Sequence, residues 1–139
     1  MRELRQAICD RLATVATDRD ITYYPFEPDE VDAPAICVLP DDPFVDYHQA
    51  QGHSQSAEWR FVLTLFVNRV DEDSAQQLLD EWVDPAGVFV TALQSDDYYD
   101  RLFELSHNYV TAVSGGRYGG FVQGNTSYLV AQMRVSIKA

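Results

Sequence analysis

Two stretches of this chain alternate apolar and polar positions with a period of two. In residues 57–69, Trp59, Phe61, Leu63, Leu65 and Val67 fall on one face, and Glu58, Arg60, Val62, Thr64, Phe66 and Asn68 fall on the other. In residues 127–139, Leu129, Ala131, Met133, Val135 and Ile137 share a face, opposite Tyr128, Val130, Gln132, Arg134, Ser136 and Lys138. Successive strand side chains point to opposite sides, so this pattern predicts two strands, each with one buried face. At about 3.3 Å per residue the first would extend ~40 Å. The odd-numbered faces of both are expected to meet a common core.

Other segments follow helical spacing. Leu4, Ile8, Leu12, Val15 and Ala16 recur every three to four residues, predicting a helix over 2–17. Residues 71–83 read as a second helix, with acidic residues at its start to suit the helix dipole and Ser74 or Asp73 as its cap. Pro85 and Gly87 interrupt it, and 88–94 continues as a further helical piece. Between the first helix and the long strand, 21–26 reads as a short strand stopped by Pro25 and Pro28. Residues 27–34 form an acidic, proline-rich connector, and 35–39 a strand closed by Pro40. Asp42-Pro43 marks a turn, after which Phe44, Val45 and Tyr47 suit an edge strand. Residues 49–56 are polar and small, the pattern of a mobile loop; 95–101 are a polar loop bearing tyrosines. Residues 105–114 read as a strand, 115–124 as a glycine-broken turn, and Gly124-Asn125 as a tight turn before the final strand. Most neighbouring strands are joined by loops, which favours antiparallel pairing. The expected fold is α+β: a mainly antiparallel sheet with helices 2–17 and 71–94 packed on one apolar face.

With 139 residues, 46% of them hydrophobic, the chain supplies one core and one domain, 1–139. A strand reaching the end of the sequence suggests a compact module held by its sheet. No apolar stretch approaches a membrane span, and the start lacks the apolar core and small-residue cleavage site of an export signal. Ten basic against 22 acidic residues give a formal −12. That balance argues against binding nucleic-acid phosphates; it is compatible with DNA passing an acidic wall without sticking, and equally with a charge that serves only solubility. Cys9 and Cys37 lie among apolar neighbours and read as two buried free thiols in a cytoplasmic chain.

The sequence offers no catalytic constellation. His48 and His53 share a polar loop with Asp41, Asp42 and Asp46, but their spacing matches no strong metal-ligand pattern, and a solvated loop explains them better. His107 stands alone. The acidic runs lack the alternating carboxylates and central glycine of a calcium loop. The segment 114–120 is glycine-rich but lacks the Gly-Lys-Ser/Thr end of a phosphate loop, so its glycines point to turns and a bulge. No nucleophile turn or Cys–His pair stands out. No cofactor and no metal are expected, and the chain reads as a non-enzyme. Tyr98, Tyr99 and Tyr118 sit in polar surroundings and are candidate interface anchors.

Taken in order, the amphipathic first helix, the acidic connector, Ala35-Ile-Cys-Val-Leu-Pro40, the long strand 59–68, the helix 74–83 and the closing Gly119-Gly-Phe-Val-Gln-Gly-Asn-Thr-Ser-Tyr-Leu-Val-Ala-Gln-Met-Arg-Val-Ser-Ile-Lys-Ala139 resemble one family. They are similar to the tail terminator (tail completion) proteins of long-tailed, non-contractile phages, especially those of actinobacterial hosts. The resemblance spans nearly the whole chain, and its best motif is Tyr128-Leu129-Val130-Ala131 after a small-residue turn. It implies a tail-terminator-like fold and a structural virion protein at the head–tail junction, assembled in the host cytoplasm. Such a protein forms a homohexameric ring on the tail tube, ends tube polymerisation, and presents a surface to the head–tail connector or stopper proteins. DNA passes its lumen without specific binding, and no membrane is involved. The alternatives are a head–tail connector or neck (head completion) protein and a small acidic ligand-binding domain. Candidate contacts between subunits, or with tube and connector, are Asp46, Tyr47, His48, Gln51, Arg60, Tyr98, Tyr99, Arg117, Tyr118, Arg134 and Lys138. Arg60, Arg117, Arg134 and Lys138 are the candidate cross-subunit partners for acidic groups.

Overall fold

A computed structural model describes residues 2–16, 20–46, 57–69, 72–94 and 109–138. The elements run α1 (Arg2–Val15), β1 (Thr22–Tyr24), β2 (Ala35–Asp46), β3 (Glu58–Asn68), α2 (Glu72–Val83), α3 (Val88–Leu93), β4 (Tyr109–Gln123) and β5 (Thr126–Lys138). The strands form one sheet in the order β1-β2-β3-β5-β4. Every pairing is antiparallel except β1 with β2. The fold is α+β, as the alternation predicts.

The two alternating strands pair along their whole length, from Glu58 opposite Lys138 to Asn68 opposite Tyr128. Phe61 lies opposite Val135 and Leu63 opposite Met133. Residues directly opposite in an antiparallel pair share a face, so the odd-numbered rows merge into one apolar surface. Phe61, Leu63 and Leu65 are fully buried, as is Ile137, and Ile36 and Val38 extend the surface across β2. The helices close over it. Leu4, Ile8 and Leu12 come from α1, Leu79 and Trp82 from α2, and Phe89 and Leu93 from α3. Trp82 and Phe89 stack tilted, ring centroids 5.1 Å apart. The guanidinium of Arg11 donates to the carbonyl of Ala92 at 3.0 Å, satisfying a group that the end of α3 leaves without a helical partner.

The break between α2 and α3 follows from Pro85 and Gly87. The Asp84 carboxylate accepts the amide of Ala86 at 2.9 Å, and the Gly87 amide closes back on the Asp84 carbonyl at 2.9 Å. A Cβ on Gly87 would stand 2.6 Å from the Glu81 carbonyl oxygen and 3.0 Å from that of Asp84. Both are backbone atoms of a packed turn, so Gly87→Ala should cost about 1–3 kcal/mol, read as a lower urea midpoint at unchanged slope.

Four local expectations are corrected. First, β2 does not close at Pro40; it runs on to Asp46, and its register with β3 shifts between Pro40 and Val45. Asp42-Pro43, with a cis peptide bond, lies inside this irregular strand rather than in a turn between two. The irregularity absorbs the prolines, which lack the amide a regular ladder needs. Second, the glycine-rich segment is strand, not turn. The register of β4 on β5 shifts between Gly115 and Tyr118, and the chain reverses only at Gly124-Asn125, where Gly124 takes φ 60°. That left-handed angle suits glycine in a two-residue hairpin. Third, Asp73 and Ser74 lie within the first turn of α2, so neither caps it.

The fourth correction concerns the second face of the sheet. Tyr128 and Val130 stand on the face that the alternation turns away from the helices, yet both are buried, as is Thr64. The parallel pairing of β1 with β2 explains why. A parallel neighbour needs a crossover, and the connector 25–34 makes it over the outer face. The Tyr128 hydroxyl donates to the Val31 carbonyl at 3.2 Å and the Gln123 amide to the Asp29 carbonyl at 3.3 Å. Beneath the connector, Phe66 meets Phe121 and Tyr128 edge to face, at 5.7 and 5.9 Å.

Candidate assembly interface

The outer face divides in two. One half is the apolar patch under the connector. The other is charged, and it brings together four of the residues singled out from sequence. Arg60 sits between Asp46, at 3.7 Å, and Glu58, at 3.9 Å. Arg134 reaches Asp41 at 3.7 Å. Lys138 lies opposite Glu58 in the ladder. These are partly exposed pairs, each contributing about 0–1 kcal/mol to stability. The fold has little need of them.

Arg117 and Tyr118 lie apart from that group, in the shifted register of β4. The Arg117 amide donates to the Gln132 side chain at 3.3 Å and its guanidinium to the Gly120 carbonyl at 3.1 Å. Tyr118 lies opposite Ala131, on the helix side, and its hydroxyl oxygen accepts from the Gln76 amide of α2 at 2.6 Å. Half of its surface stays exposed, 52%. Tyr47, His48, Gln51, Tyr98 and Tyr99 lie outside the described residues, as do His53 and His107.

The sequence places an edge strand at Phe44 and Val45, and the strand order shows which edges these are. Among the described residues, β4 has a neighbour on one side only, and β1 flanks β2 only over Ala35–Cys37. The rest of β2 is therefore a second open edge, on the opposite side of the sheet. Large apolar side chains stand exposed near both: Phe44, 46%, on β2 and Val122, 67%, on β4. A signal was available in the distribution of charge. Residues 20–59 carry nine Asp and Glu and no Lys or Arg, whereas residues 105–139 carry Arg117, Arg134 and Lys138 and no Asp or Glu.

Among the described residues, two depressions are of note. A cleft of about 200 Å³ opens under the connector, lined by Cys37, Thr64, Phe66, Phe121, Val130 and Arg117 among others. A groove of about 480 Å³ runs between Asp20, Ile21 and Pro34 and the α2 residues Ser74, Gln77, Leu78 and Glu81. The cleft is smaller than the roughly 300–1,000 Å³ usual for small-molecule sites. The groove has the size, but its two ionisable side chains are both carboxylates. Ser74 and Gln77 add donors and acceptors beside them, and no cation stands in the lining.

The thiol at the cleft is poor in nucleophilic character. Burial, with Glu27 nearby, pushes the Cys37 thiol up to about 11. Burial raises Cys9 to about 12, helped by Asp10 and Cys37 and opposed by Arg5. Both cysteines are free. The phenol of Tyr23 is likewise pushed up to about 12, by burial and then by Cys9. Among the described residues, no three His, Cys, Asp or Glu side chains cluster as metal ligands, and no helix is long and apolar enough to cross a membrane. No family model matches the sequence, and no curated protein is similar to it.

Proposed function

We propose that this chain is a structural protein of phage assembly, a tail terminator. Six copies close a ring on the finished tail tube, stop further addition of tube subunits, and present a surface to the connector on the head side. The observation that carries this reading is that, among the described residues, one sheet has two unlike edges without a partner strand, on opposite sides. A ring made by one repeated contact needs two different surfaces on each subunit. Charge supports it too: six copies at −12 each bring about −72, and a lumen lined by such subunits repels DNA phosphates and lets the duplex slide. The reading also draws on the resemblance carried by the 119–139 pattern. A ligand-binding domain is the weaker alternative, given the small cleft.

Electron microscopy of particles made without this protein tests the reading. Overlong, headless tails are the expected result; short or detached tails would assign the chain to the neighbouring connector instead. Light scattering should find a ring of about 95 kDa, six times 15.8 kDa, when tube is present.

A further inference from the structure

We propose that the cleft beneath the connector binds a small zwitterion, an ω-amino acid whose ammonium and carboxylate are joined by a short methylene chain. The inference is independent of the assembly reading and survives its failure.

The sheet builds the floor of this cleft in two rows. Cys37, Thr64 and Gln132 lie side by side on β2, β3 and β5. The Gln132 side-chain oxygen accepts the amide of Arg117 on β4, which extends the row by one strand. The row thus offers a thiol, a hydroxyl, an amide and a guanidinium, and all four residues line the cleft. Two residues further along β3, on the same face, the next row is apolar. There Phe66 lies opposite Val130, with Phe121 edge to face on the Phe66 ring. The connector roofs both rows with Glu27, Pro28 and Val31.

Two features of this arrangement point to a ligand. Thr64 is only 7% exposed, and its hydroxyl has no hydrogen-bond partner among the described residues. A buried hydroxyl without a partner is costly, and this one belongs to a residue that borders a cavity. The second feature is charge. Glu27 and Arg117 both line the cleft at its exposed rim, yet neither has an ion-pair partner among the described residues. The Arg117 guanidinium donates to the Gly120 carbonyl, which leaves most of its five donors unused.

The placement of the charges sets the ligand. Glu27 stands close enough to Cys37 to raise its thiol, at the β2 end of the polar row. Arg117 stands at the β4 end, three strand spacings or ~14 Å away. Two long side chains narrow that gap without closing it, and an α-amino acid carries its charges too close together to span the rest. An ω-amino acid sets its ammonium against Glu27 and its carboxylate against Arg117. The Gln132 amide and the Thr64 hydroxyl supply further donors to that carboxylate. Its methylenes lie over Phe66 and Val130. The cleft volume of about 200 Å³ matches about seven waters of the liquid, enough for such a molecule and too little for a nucleotide.

Isothermal titration of the full chain with δ-aminovalerate tests this. One saturable site with a Kd of about 1 mM is expected for so few atoms. L-valine is an isomer of the probe with its charges adjacent; valerate and pentylamine each keep one charge. All three should bind at least about tenfold more weakly, because each forfeits a charge-assisted hydrogen bond. Arg117→Gln and Glu27→Gln should each weaken the probe about tenfold or more and leave the melting temperature of the free chain unchanged, since both side chains are exposed. Thr64→Val keeps the shape without the hydroxyl and should weaken it less, by several-fold. The comparison with L-valine uses the unaltered chain, so it decides the matter if a variant fails to fold. No saturable heat up to about 50 mM would mean that water alone meets Thr64, and would overturn the site. L-valine or valerate binding as tightly as the probe would overturn the zwitterion. Arg117 and Glu27 variants that fold and bind at full strength would put the probe elsewhere and overturn the assignment.

Discussion

Phe61→Ala is expected to lower folding stability by about 3–5 kcal/mol. Phe61 is fully buried and lies opposite Val135 in the β3–β5 ladder, with the helices closing over it. Deleting its ring removes the transfer free energy of a large side chain and leaves a cavity between rigid neighbours, which collapse only partly. Domains of this size have about 5–15 kcal/mol in total. The variant should therefore melt roughly 10–20 °C lower, with a reduced urea midpoint. Trp59, on the same strand face, is only half-buried at the rim of the core, so Trp59→Ala should cost less despite the larger side chain. Equal losses at the two positions, or full stability in the Phe61 variant, would contradict the assignment of the inner face.

The second large effect is chemical. A thiol raised from an ordinary 9.0 to about 12, as at Cys9, carries near pH 8 about one thousandth of the usual thiolate. At Cys37, raised to about 11, the fraction is about one hundredth. Modification by a thiol reagent in the folded chain should be slower than in unfolded chain by roughly two to three orders of magnitude at each site. The sign of the pH dependence follows. Both folded-state values lie above the ordinary one, so the contribution of these thiols to stability is complete below about pH 9 and is lost as pH rises from there toward 12. Tyr23, raised from 10.0 to about 12, acts in the same direction in the upper part of that window. Denaturation midpoints measured from pH 8 to 11 should fall, and Cys9→Ala with Cys37→Ala should flatten the decline. A midpoint that does not change over that range would show that the thiols titrate normally.

Period-two alternation at Phe61 and Val135 was enough to place both strands and their shared face, because a half-buried strand has no freedom over which side its apolar groups take. The helices were legible for the same reason. The glycine-rich segment was misread because glycine breaks strands on average, and only the partner strand β5 shows that here it continues one. Tyr128 and Val130 were misread because what buries them is the connector 25–34, nearly a hundred residues earlier, and no local pattern carries that contact. Of the candidate contacts, Arg60, Arg134 and Asp46 were identifiable as charged groups on a polar strand face. The open edges became visible only with the strand order in hand.

That order also sets a sequence of events in synthesis. β3 is flanked on one side by β2, its near neighbour along the polypeptide, and on the other by β5, some sixty residues further on. Until the ribosome has delivered 126–138, the central ribbon has one flank of bare amides and carbonyls beside a greasy row. The nascent protein is most prone to wrong partners in that interval, and closure of the late hairpin ends it.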